Sequence, residues 1–137
     1  MILRAREMLL GVSRWYVVIA MLAIIFALSS LPNVAEPRQA AFPFDKVAHF
    51  GEYAVLGFAL AGALRRDAPR RWPAAALIVA SVAAAALYGA SDEYHQRFVA
   101  GRDAAFSDWL ADVSGATAGA LASAVLVRRR ELGRERE

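Results

Sequence analysis

Residues 88–112 read YGASDEYHQRFVAGRDAAFSDWLAD, and how this stretch is read decides the fold. It begins where one long apolar run (residues 72–90) ends, and it stops just inside the next (residues 109–127). Within it lie Asp92, Glu93, His95, Gln96, Arg97, Arg102, Asp103, Asp108 and Asp112. An ionised side chain near the centre of a bilayer costs roughly 2.5–3.5 kcal/mol even on lenient insertion scales. Charge pressed against two membrane-length runs therefore reads as a site.

Working outward, the same alternation covers the whole chain. Of 137 residues 58% are hydrophobic, against about 45–50% in an ordinary soluble domain, so a membrane protein is the first reading. The length suits one domain over 1–137. No cysteine is present, which excludes disulfides and thiolate metal sites. The net charge of +3 would suit nucleic acid, yet the arginines form short clusters between apolar runs and carry no binding motif for it. No nucleic-acid partner is expected.

Four spans are expected, at about 15–31, 47–64, 72–90 and 109–127. The first, 17 residues free of charge, is at the short end of what crosses a bilayer. A cleaved signal peptide is its rival reading, but no small-x-small site follows the run. Residues 32–43 hold three prolines and read as a linker. Asp45 then suits the N-cap or first turn of the second helix. Arg65, Arg66, Arg70 and Arg71 mark a basic turn, residues 94–107 a hairpin turning at Gly101, and residues 128–137 a frayed tail.

The N-terminal segment carries three Lys or Arg, the 65–71 loop four and the tail five; Arg38, Lys46, Arg97 and Arg102 lie in the other loops. The positive-inside rule then gives an all-α bundle of four transmembrane helices with both termini cytoplasmic. One consequence matters for function. Asp45, His49 and Glu52 open the second span, Asp92 to Gln96 close the third, and Asp108 and Asp112 open the fourth, all at the outer face.

The motifs Asp45-Lys46-x-x-His49-Phe50-x-x-Tyr53, Asp92-Glu93-x-x-Gln96-x-Phe98-x-x-Gly101-Arg102 and Asp108-Trp109-x-x-Asp112-x-x-Gly115-x-x-x-Gly119 resemble the VanZ-like family over about residues 44–120. That family consists of small polytopic bacterial membrane proteins, named for a member linked to low-level teicoplanin resistance. Two positions depart from its pattern: Asp112 stands where asparagine is typical, and Ala100 where proline commonly precedes the Gly-Arg pair. The resemblance implies an inner-membrane protein with a role in the cell envelope.

Helical spacing places Asp45, His49 and Tyr53 on one face, Asp92 with Gln96 on a second, and Asp108 with Asp112 on a third. Three uses follow. Asp45, His49, Asp92 and Glu93 offer the mixed oxygen and nitrogen donors of a divalent metal, which would clamp or hydrolyse a lipid phosphate. Arg102 with Lys46, and more weakly Arg97, offers an anion site. His49 or His95 beside an acid offers proton transfer; His49, one turn after Asp45, has the better company, and His95 reads as a solvated loop residue. The plain alternative is a network of ion pairs tying helix ends together, with Arg102 paired to Asp108 or Asp92. Ser91 and Ser114 read as helix-packing hydroxyls, and Trp15, Trp72 and Trp109 as an interfacial belt.

The reading that joins these features is a protein that binds or responds to an anionic amphiphile, a lipid-linked cell-wall precursor or a lipoglycopeptide. Its binding residues would be Asp45, Lys46, His49, Asp92, Glu93, Gln96, Arg102, Asp108 and Asp112. A metal-assisted hydrolase or transferase of phosphate lipids is one rival. A structural module that oligomerises through Gly115 and Gly119 is another.

Overall fold

The computed structural model describes residues 2–32, 44–69 and 72–135. Four helices follow in order: α1 (Ile2–Ser29), α2 (Phe44–Asp67), α3 (Ala74–Gln96) and α4 (Phe106–Arg134). Three of them contain stretches long and apolar enough to cross a membrane, Asp45–Asp67, Ala74–Gln96 and Phe106–Arg134, whereas the apolar part of α1, Trp15–Ser29, is shorter. Residues 33–43 of the proline-rich linker, with Arg38, the Arg70–Arg71 part of the basic turn and the last two residues of the tail lie outside the described residues.

Helix ends differ from the sequence expectation where polar residues continue a helix. Asp92 to Gln96 lie inside α3, so the hairpin shrinks to the residues after Gln96, and His95 belongs to the last turn of a helix. The tail likewise stays helical to Arg134. One reason is the Arg65 guanidinium, which bonds the Glu131 carboxylate at 2.7 Å and ties α4 to the end of α2. Gly101 has φ 74° and does make the turn between α3 and α4, a conformation open to glycine because it has no Cβ.

Cross-links show how the helices alternate. At one end of the bundle the end of α1 meets the end of α3 through Ser29 and Asp92. There too the starts of α2 and α4 meet through Lys46–Asp108 and His49–Asp112. At the other end Trp15 Nε1 donates to Asp67 at 2.6 Å, and Arg65 pairs with Glu131. The chain is an up-down-up-down weave.

The most extensive contact is between α2 and α4, and small residues explain it. Gly115 and Gly119 lie against the α2 backbone at Phe50 and Ala54, while Gly57 lies against Ala116. Backbones this close gain dispersion contacts that larger side chains would prevent, the usual means of holding helices together in lipid. The Gly115-x-x-x-Gly119 face is thus covered by α2 of the same chain.

Tyr53, Leu56, Ala85 and Ala116 fill the centre with no exposure, joined by Val18 and Ile25 from α1. Large apolar side chains point outward instead, among them Ile19, Val79 and Leu87, the last 74% exposed. A surface of this kind is at home against lipid tails and costly in water.

Candidate functional site

The polar end of the bundle is built from pairs that cross between helices. His49, 8% exposed, has Nδ1 2.8 Å from Oδ1 of Asp112, itself 1% exposed. Its other nitrogen, Nε2, lies 3.9 Å from Asp45, one turn back on the same face of α2. Lys46 Nζ donates to Asp108 in the first turn of α4. That carboxylate also faces the positive end of the α4 dipole.

Asp92 is held from two sides. Ser29 Oγ donates to its Oδ1 at 2.6 Å, and Gln96 Nε2 donates to its Oδ2 at 3.1 Å. Next to it Glu93 turns the other way, and Oε2 accepts the Ala105 N–H at 2.9 Å. Ala105 is the N-cap residue of α4 and brings no side-chain cap of its own, so Glu93 satisfies one of that helix's orphan donors. Its second oxygen, Oε1, is buried without a hydrogen-bond partner, as is the hydroxyl of Tyr53.

Arg102 pairs with neither Asp108 nor Asp92. Its Nε and Nη2 donate to the carbonyls of Leu31 and Leu28, 3.2 and 2.9 Å away. In place of the expected internal ion pair it holds the chain at the end of α1, through the carbonyl of Leu28 in the last turn and that of Leu31 just beyond Ser29. Two bonds leave N–H groups to spare on a five-donor guanidinium.

These residues border a cleft of about 240 Å³ between α1, α2 and α3. Asp45, His49, Glu52, Asp92, Gln96 and Arg102 line it, together with Ile25, Leu28, Leu31, Ala48 and Ser29. A second cleft of about 320 Å³ lies beyond α3 and is lined by Glu93, Arg97, Phe106 and Trp109 among others. An apolar groove of about 280 Å³ runs along α1, α2 and α4 past Val17, Phe58 and Val127, away from the carboxylates.

The chain's match to a protein-family model extends over residues 10–127, and the model is that of VanZ/LLP1. The chain belongs to the VanZ/LLP1 family. No curated protein and no solved structure matches it.

Five of the nine expected site residues line the first cleft: Asp45, His49, Asp92, Gln96 and Arg102. Glu93 opens onto the second cleft instead, and Lys46 and Asp108 pair beside them. Asp112 enters through His49. The metal donors expected from the sequence regroup: His49, Glu93 and Asp112 bring ligand atoms within 4.8 Å of one another, as do Asp45, His49 and Asp108, and Asp92 belongs to neither group.

Two polar cleft residues were missing from the expected set. Glu52 lies three residues after His49, so helical spacing alone could have found it. Ser29 ends an apolar run, and only the docking of α1 on α3 gives it a role. His95 also differs from expectation. Its ring stacks on Phe26 with centroids 4.8 Å apart, and Nε2 lies 3.0 Å from Ser30 Oγ. Ser91 and Ser114 bond carbonyls of their own helices and stay exposed, so they pack no helix pair. Trp109 spends its N–H on the Ala86 carbonyl, which locks α4 to α3.

Proposed function

We propose that this VanZ/LLP1 member binds an anionic amphiphile at the outer rim of the bacterial inner membrane. The class is a lipid-linked cell-wall precursor or a lipoglycopeptide. The observation that carries the reading is the mixed lining of the first cleft: apolar Ile25, Leu28, Leu31 and Ala48 together with five ionisable side chains. Such a wall suits a ligand with an apolar chain and a charged head. Arg102 meets the anion with its spare donors. Asp45, Glu52 and Asp92 accept hydrogen bonds from headgroup hydroxyls or hold a cation beside the anion.

Binding is checked with the purified chain in nanodiscs, comparing a polyprenyl diphosphate lipid and teicoplanin with a zwitterionic lipid. Losing a charge-assisted hydrogen bond removes about 1.5–3 kcal/mol, so Arg102→Gln should weaken binding roughly 10- to 100-fold. Arg97→Gln, outside this cleft, should leave it unchanged. Equal binding by wild type and Arg102→Gln would count against the proposal.

The orientation belongs to the same reading. With the basic clusters held inside, a reporter fused to either end should be active on the cytoplasmic side, and one inserted after Gly101 should be active outside. The reverse pattern would put the cleft on the wrong face for an external ligand.

A further inference from the structure

We propose that His49, Glu93 and Asp112 form a binding site for one divalent transition-metal ion, Zn²⁺ before Mn²⁺. They come from three helices, all three are buried, and their ligand atoms lie within 4.8 Å of one another. In a tetrahedral zinc site with bonds of 2.0–2.2 Å, neighbouring ligand atoms stand about 3.4 Å apart. Closing the trio on an ion therefore takes side-chain rotation, with the His49–Asp112 contact opening from 2.8 Å.

Independent support comes from Glu93. The residue is 9% exposed, and its Oε1 is buried with no hydrogen-bond partner. A buried carboxylate oxygen left in this state is costly, and an ion between it, His49 and Asp112 supplies the missing partner. The nearby cations do not: Lys46 is bonded to Asp108, and Arg102 to the carbonyls of Leu28 and Leu31. Glu93 is already oriented by the Ala105 N–H on Oε2, the kind of outer contact that fixes a ligating carboxylate.

Access is available as well. Glu93 lines the second cleft and His49 the first, so the trio lies between two openings. One imidazole with two carboxylates suits zinc and manganese better than magnesium, which dehydrates reluctantly and demands octahedral oxygen ligands.

The test uses the full chain in detergent with Zn²⁺ alone as the probe. After loading and dialysis, one zinc per chain should remain. X-ray absorption should show a nitrogen and oxygen shell containing a single imidazole, and chelation should lower the Tm. Glu93→Gln keeps an oxygen for the Ala105 N–H and should weaken zinc binding by about tenfold or more. Asp45→Asn, which touches the other acidic group around His49, should change it less than about twofold. Arg102→Gln should leave zinc uptake intact, so this result and amphiphile binding fail separately. Sub-stoichiometric zinc, a shell without imidazole, or a loss with Asp45→Asn and none with Glu93→Gln would overturn the site. If Glu93→Gln does not fold, stoichiometry, the absorption spectrum and the chelation shift of the wild type still decide.

Discussion

Gly119→Leu is expected to lower stability by about 3 kcal/mol, at the upper end of what overpacking a tight interface costs. The reason is that nothing soft stands in the way. A Cβ at this position falls on the Ala54 carbonyl oxygen and 2.8 Å from the Phe58 nitrogen. Both are backbone atoms of α2, which cannot turn aside as a flexible side chain would. α4 must move off α2, and with it Asp108 and Asp112 leave Lys46 and His49. Gly51 provides the control, since a Cβ there meets nothing within 4 Å. Gly51→Ala should be neutral or gain up to about 1 kcal/mol from helix propensity. Denaturant titrations of both variants in micelles measure the difference. Equal stabilities would mean that the two helices do not pack at this distance.

The second large effect is expected at Asp112. Hydrogen bonds between membrane helices average about 0.6 kcal/mol in double-mutant cycles, so an ordinary polar contact would barely register. Removing one member of a buried ionisable pair costs about 3–5 kcal/mol, because the other is left without compensation. Asp112 is 1% exposed and His49 8%. Asp112→Ala should therefore fall in the larger range, at about 3 kcal/mol. In a double-mutant cycle with His49→Ala, the second substitution should cost much less once the first is made. Asp112→Asn retains an acceptor for the ring nitrogen and should cost less than about 1 kcal/mol. An Asp112→Ala cost near 0.6 kcal/mol would show that water or lipid headgroups already solvate the pair.

Local pattern made much of this legible. The apolar runs separated by basic clusters gave four helices, and the three motifs gave the family. Glycine at position 101 marked the turn, because its positive φ is open chiefly to that residue. Helix ends were harder to read. Asp92 to Gln96 look like a loop by composition, yet Asp92, Glu93, His95 and Gln96 each bond along the helix or to a neighbouring segment, and the polar run continues α3. Arg102 departs from the internal-pair alternative for a related reason. Charge alone suggests a carboxylate partner, but main-chain carbonyls at and just past the end of α1 take the same donors.

By itself the sequence determined the helical class, the membrane-length runs and the polar residues that gather at one end of the bundle, because periodicity and hydropathy are properties of neighbouring residues. Which of those residues meet was decided only by the tertiary structure. Glycines at 57, 115 and 119 let α2 and α4 approach to backbone contact, and that closeness brings Asp112 rather than Asp92 to His49. Ser29, which no local pattern singles out, reaches Asp92 only because α1 docks on α3. Partner choice across helices depends on interaxial distance and rotation, and these are set by the packing of the whole bundle.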